Sequence, residues 1–424
     1  MTTHKIHYGT NRFSFSLPRG NFISQIEPKC PSINDSPEAI IRYALDNPIG
    51  SPSLAKIAKG NRSAAILVPG KDRIAGAETF IPLLLEELIT AGISDKNITI
   101  FLATGTHAKH SREEIERLIG KEIASRLHCF EHECNNEDNL HFVGETTYRN
   151  KIYINRTVLD TDIKILTGRI IPHYFAGFGG GRKALLPGVS GFETICRNHR
   201  LTLNPESGIH PEVRPCSLHN NPVHLDMLEA ANMAGQSFVL NTLLDTNHNV
   251  IGAFAGDLEQ AHYAGCIEAE KIFKIELKEP LDAVITSAGG WPYDCNFMQA
   301  IKAVLNVQEI IKPGGSILWI AKCPDGIKDG FLEWAKLKTT VDLEKAVRLN
   351  YNLTGHNSIM LRNITQKARV ALWSDLSHND VKALGFEPVD SIQEGVEWLL
   401  KSCEEAFNYS IVPYANITYA AIKN

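Results

Sequence analysis

Short apolar runs separated by amphipathic segments set the rhythm of the first two-thirds of the chain. AAILVP (64–69) reads as a buried strand, GKDRIAG as a loop and ETFIPLLLEELITAG as a helix packed back on it. NITIFLAT (97–104) predicts the next strand, ending in GTHAKH. Ser111 and Glu114 then have the S-x-x-E spacing of a capping box, so a helix is predicted to start there. DIKILTG (162–168) predicts a third strand, followed by RIIPHYFAGFGGGRK. After a helical stretch at 258–274 the alternation restarts. LDAVITSA (281–288) is a strand, GGWPYDC a loop, NFMQAIKAVLNVQEII a helix and GGSILWIA (314–321) a returning parallel strand. Alternating strands and helices predict an α/β fold with parallel sheets. The charged stretch KIELKEP places a boundary near residue 275. The expected organisation is an N-terminal domain 1–274 and a C-terminal domain 275–402, with 403–424 a candidate to return to the first.

A length of 424 residues agrees with two domains. With 43% apolar residues, 21% charged residues and net charge −5, nothing favours nucleic acid or an anionic membrane as partner. No stretch approaches the ~18 uncharged apolar residues of a membrane span. The start MTTHKIHYGTNRF lacks an apolar signal core. Nine cysteines without CxxC spacing read as reduced thiols, and the expected location is the cytoplasm. His128, Cys129, His132 and Cys134 in LHCFEHEC lack the second ligand pair of a structural zinc site, so this segment is read as a strand edge.

The candidate chemistry collects beyond the carboxyl ends of predicted strands. Asp72-Arg73, His107, His173 and the glycine run 177–183 all fall there, and the Gly289–Asp294 loop does so in the second unit. In open α/β sheets that edge binds ligands, and two such edges facing each other would make an interdomain cleft. His107 and His173, on separate loops, suit proton transfer at both faces of one carbon. His110, His210, His219 and His224 lack that context and are read as structural. GFGGGRKALLPG (177–188) is not a P-loop: Arg182 stands between Gly181 and Lys183, and Ala184 replaces the Ser or Thr. Lys183 is either one of a solvated basic pair or an amine made nucleophilic by its cationic neighbour, with glycines permitting close approach. Gln299 and Lys302, at i and i+3, share a helix face able to hold a carboxylate and a hydroxyl. Asp72-Arg73 offers a fork for an anion or a loop ion pair.

Taken together, ATGTH (103–107), IIPHYFAGFGGGRKALLPG (170–188), NHR (198–200), NNPVH (220–224) and GGWPYDCNFMQAIKA (289–303) resemble the nickel-dependent lactate racemase family. The resemblance spans both predicted domains and implies two α/β domains with the active site in the cleft between them. It implies racemisation or epimerisation at C2 of a 2-hydroxy acid by proton-coupled hydride transfer. The cofactor it implies is nickel held in a pyridinium-3,5-bisthiocarboxylic acid mononucleotide, the nickel-pincer nucleotide, covalently joined to Lys183. His199 would be the protein's nickel ligand, and His107 and His173 the paired bases. Asp72, Thr104, Gly105, Gly179, Gly180 and Gly181 would contact the cofactor. Arg73, Gln299, Lys302, Met298 and Trp291 would contact substrate. Enzymes that make the cofactor are implied partners. Met298 in place of an aromatic before Gln299, with Trp291, Asp294, Cys295 and His356, departs from lactate racemases proper and extends the candidate substrates from lactate to malate-like diacids and sugar acids such as gluconate. The competing readings are an NAD-type hydroxyacid oxidoreductase, opposed by the lack of G-x-G-x-x-G after the first strand, and a non-catalytic nickel or nucleotide carrier.

Overall fold

The run Ala64–Pro69 is apolar without alternation because it lies inside a parallel sheet covered on both faces, and Ala64 to Val68 are wholly buried. The computed structural model describes residues 2–71, 73–328 and 330–423. Around this strand runs a six-stranded sheet in the order Val250–Gly256, Ser237–Leu244, Ile163–Arg169, Ala64–Pro69, Ile98–Ala103, His128–Glu131. All neighbours are parallel except the Ser237–Leu244 and Val250–Gly256 pair. The chain therefore builds outward from Ala64–Pro69 on one side, then returns to its other side with Ile163–Arg169. That reversal is a topological switch point, where the loops leaving two adjacent parallel strands diverge and open a crevice. Those loops are 70–76 and 170–181, the carriers of Arg73 and His173. Helix Ala77–Thr90 covers one face with Phe80, Ile81, Leu84, Leu85 and Leu88. Helix Arg112–Ile119 begins with the expected reciprocal Ser111–Glu114 capping box.

The second sheet is also six-stranded and wholly parallel: Glu387–Val389, Arg369–Trp373, Ile311–Ile320, Leu281–Ser287, Asn408–Val412, Asn21–Gln25. Its switch point lies between Leu281–Ser287 and Asn408–Val412, so the Gly289–Asp294 loop leaves from it. The chain divides into two compact units differently from the sequence expectation. One holds Cys30–Leu201 and Glu212–Glu270; the other holds the residues up to Lys29, Thr202–Pro211 and everything from Lys271 onward. Residues 403–424 do not return to the first unit. Asn408–Val412 is buried along most of its length and supplies the strand between Leu281–Ser287 and Asn21–Gln25. Tyr419–Ile422 pairs in parallel with Lys274–Leu277. The N-terminal residues are needed where they are because Asn21–Gln25 completes that sheet's edge. Thr202–Pro211 belongs with the same unit because Leu203 packs in a cluster with Trp334, Leu343, Val347 and Ile359. Among the described residues no helix is long and apolar enough to cross a membrane.

Candidate active site

At the first switch point, Arg73 and His107 meet. Arg73 Nη2 lies 3.1 Å from His107 Nε2. A guanidinium can only donate, so that ring nitrogen is the acceptor. Asp72 lies outside the described residues. Of the residues expected to contact a cofactor, Thr104 donates through Oγ1 to the His132 carbonyl (2.7 Å) and Gly105 through its N–H to the Gly188 carbonyl (2.9 Å). His132, of the LHCFEHEC segment, is buried, with Nε2 2.9 Å from the Ser190 carbonyl.

His173 stands at the mouth of a tight hairpin, Pro172–His173 paired with Gly177–Phe178. Its Nδ1 receives the N–H groups of Ala176 (3.3 Å) and Phe175 (3.5 Å). Because amides only donate, the neutral ring carries its proton on Nε2. The two predicted bases thus present opposite faces: an accepting Nε2 on His107 and a donating Nε2 on His173.

Phe175, unremarked in the sequence, is the hub of the cluster. Its ring centroid is 4.4 Å from that of His173 and 4.9 Å from that of His199, both edge-to-face, and Lys183 Nζ stands over it at 5.2 Å. The hairpin, the lysine loop and helix Phe192–Arg200 therefore converge on one ring. A single helix, Pro222–Met233, braces them. Asn221, its N-cap, accepts from Val223 and His224 N–H and donates through Nδ2 to the Phe175 carbonyl (2.9 Å). Asp226 on the same helix accepts from Asn198 Nδ2 (2.8 Å), the neighbour of His199, and also from Asn150 and Thr146. Burial raises the Asp226 carboxyl pKa, opposed by those three hydrogen bonds.

The glycine run is neither an open cradle nor a flexible loop; it is packed on the sheet. A Cβ at Gly179 would meet the Arg169 carbonyl at 2.5 Å, and one at Gly181 the Leu166 carbonyl at 2.5 Å. Gly179 N–H donates to the Ile171 carbonyl and Gly181 N–H to Asn241 Oδ1. Gly180 adopts φ +120°, where a side chain would strike His262 at 2.6 Å. These glycines allow backbone to lie against backbone. Arg182 is not solvated either: it is wholly buried, and its guanidinium donates to the carbonyls of Ala176, Phe178 and Gly179. Nη1 also lies 2.5 Å from His262 Nε2, which is itself 2.8 Å from the Gly179 carbonyl. Burial pushes the guanidinium down to about 10. Burial first, and then the Arg182 charge, push His224 and His262 well below the ordinary histidine range, so both are neutral.

In the second unit, Asn296 caps helix Phe297–Leu305 by accepting from Gln299 N–H, and Lys302 Nζ donates to Gln299 Oε1 at 2.6 Å. The amide and the ammonium are thus on one face, as their spacing implies. Met298 Sδ accepts from Asn357 Nδ2 at 3.6 Å, and Trp291 is 57% exposed on its loop. Asp294 is turned away from that loop's surface: its buried carboxylate accepts from Gly9 N–H (2.7 Å) and Lys322 N–H (3.1 Å). Cys295 is buried, with Sγ accepting from Asn296 Nδ2. His356 is buried beside the Tyr351 hydroxyl at 2.9 Å, and burial lowers its pKa to about 3.

Three supports escaped the sequence reading. Asn221 before Pro222 carried the signature of an N-cap followed by proline at the first helical position. Asp226 was visible as an acid set between apolar residues in VHLDML. Phe175 had no signal, since an aromatic beside glycines reads as core.

Comparisons with known proteins show which family the chain resembles in sequence and fold. Residues 8–210 match the model of the lactate racemase N-terminal domain and residues 277–415 that of the lactate racemase C-terminal domain. A lactate racemase from Thermoanaerobacterium thermosaccharolyticum is 35% identical over 339 residues, 79% of this chain and 78% of that protein. A lactate racemase from Lactiplantibacillus plantarum is 33% identical over 291 residues, 69% of this chain and 67% of that protein. The solved lactate racemase apoprotein from T. thermosaccharolyticum superposes with a TM-score of 0.89 at 29% identity, over the whole of both chains. A Thermotoga maritima protein shares the fold, with a TM-score of 0.70 at 18% identity, covering 92% of this chain and all of that one.

Proposed function

Because the chain belongs to the lactate racemase family, we propose that it inverts the C2 centre of a 2-hydroxy acid, with lactate the first substrate to test. It is an isomerase of the racemase class. The observation that carries the finer reading is the opposite polarity of two imidazoles: His107 Nε2 accepts, whereas His173 Nε2 donates. One ring can take the substrate hydroxyl proton while the other supplies one, the division of labour that passage through a planar 2-keto acid requires. Arg73 holds the carboxylate. A carboxylate arriving at the guanidinium competes with His107 for it, so substrate binding uncovers the lone pair that then acts as base.

The residues fit a nickel-pincer nucleotide. Lys183 offers an amine for the covalent link and His199 an imidazole suited to nickel, both against the Phe175 ring. When bound, the cofactor supplies a site that accepts hydride and returns it. The chain's part is to hold Lys183 and His199 in place and to move the hydroxyl proton at His107 and His173. Gln299 and Lys302 are proposed as further substrate-binding groups, supported by their shared face. Met298 and the exposed Trp291 leave malate-like diacids and sugar acids as further candidates. The test is cofactor-loaded enzyme given L-lactate deuterated at C2. Retention of the label in D-lactate is expected; its prompt loss to water would reject hydride transfer.

A further inference from the structure

His110 carries none of the proposed chemistry, yet its side chain is only 2% exposed and both ring nitrogens are engaged. Nδ1 lies 2.7 Å from Glu131 Oε1, and the same oxygen accepts the His110 backbone N–H at 2.8 Å. Nε2 accepts the Lys71 backbone N–H at 2.9 Å. An amide cannot accept, so the lone pair is on Nε2 and the proton on Nδ1 faces the carboxylate. The ring edge also abuts Gly70, where a Cβ would come within 3.1 Å of Cε1 and Nε2. Gly70 and Lys71 open a turn closed by Arg73 N–H donating to the Gly70 carbonyl at 2.9 Å. Lys71 is gripped again at its other end, where Nζ pairs with Glu114 Oε1 at 2.5 Å. His110 thus links the edge strand His128–Glu131 to the turn that presents Arg73.

We propose that His110 is a positioning residue for this site: through the Lys71 amide it fixes the Gly70–Arg73 turn so that the guanidinium rests on His107. The inference rests on the reading of Arg73 and His107 given above. Without the ring, the turn loses one hydrogen bond and the surface it packs on, and Arg73 samples other positions. Misplacing a substrate-holding group by about an ångström costs up to ~100-fold in rate. The charged groups facing the ring are Glu131, Lys71 and Glu114.

The test uses the full-length chain in two forms. In protein without cofactor, His110→Ala should speed hydrogen exchange at the Lys71 amide by roughly tenfold or more, beyond the change at amides remote from the turn. In loaded enzyme, kcat/KM for lactate should fall by about tenfold, mostly through KM, as expected when an interaction made in ground and transition states alike is loosened. His110→Gln, whose carbonyl can take the Lys71 N–H, should recover part of both losses. Unchanged exchange at Lys71 in His110→Ala overturns the proposal, and so does faster exchange with unchanged kcat/KM. If the alanine variant does not fold, nitrogen NMR of the wild-type ring decides: a proton on Nε2 in the neutral ring overturns the arrangement. A loaded wild-type enzyme that racemises nothing would overturn the functional reading instead, while exchange at Lys71 still reports on the latch.

Discussion

Arg73 Nη2 and His107 Nε2 are 3.1 Å apart, so the guanidinium proposed to bind the substrate carboxylate rests on the atom proposed to act as base. Arg73→Lys keeps the charge but loses the planar pair of donors. We expect KM for lactate to rise by about tenfold or more in loaded enzyme, with a smaller fall in kcat. Steady-state kinetics check this, and an unchanged KM would remove Arg73 from substrate binding.

Arg182 should prove to be structural. Arg182→Lys cannot reach the carbonyls of Ala176, Phe178 and Gly179 together, leaving buried acceptors unsatisfied. The expected cost is about 2–4 kcal/mol, read by denaturant unfolding. The same variant should reduce the fraction of Lys183 carrying the cofactor adduct, read by intact and peptide mass spectrometry. Wild-type stability would contradict the bracing described here.

The buried histidines make a prediction about pH. His224, His262 and His356 have folded pKa values below the unfolded value of about 6.5, that of His356 about 3. The unfolded chain therefore binds more protons, and stability is full above pH 6.5 and falls as pH drops towards the folded values. Each such histidine contributes a slope of up to about 1.4 kcal/mol per pH unit in that window. Urea unfolding at pH 7.5, 6.5 and 5.5 should show a progressive loss below 6.5. Stability that is flat or rising towards pH 5.5 would rule out neutral burial.

Asn198 links the helix of His199 to Asp226. Asn198→Ala should cost about 1–3 kcal/mol, because it leaves a buried carboxylate with one donor fewer. It should also weaken nickel retention of loaded protein during dialysis against a chelator. Retention equal to wild type would show that His199 does not depend on this support.

The parts legible in the sequence were those encoded locally. Ala64–Pro69, the Ser111–Glu114 capping box and the Gln299–Lys302 face follow from composition or spacing within one element. What was missed depends on strands and loops distant along the chain. Nothing in Asn21–Gln25 or Asn408–Val412 announces that they pair with each other, 387 residues apart at Asn21 and Asn408. The glycine run looked open because glycine suits both a phosphate and a neighbouring backbone; only the approach of Arg169 and Leu166 carbonyls distinguishes them. Arg182 looked solvated because the carbonyls that receive it are set by the fold of its own loop.

The most direct measurement is the interconversion of enantiopure L- and D-lactate by cofactor-loaded protein, followed by chiral chromatography in wild type, His107→Ala and His173→Ala. Wild type should drive either enantiomer towards an equal mixture, and each variant should be slower by about 100-fold or more. Absence of interconversion by loaded wild type, or a wild-type rate in either variant, would contradict the proposed function.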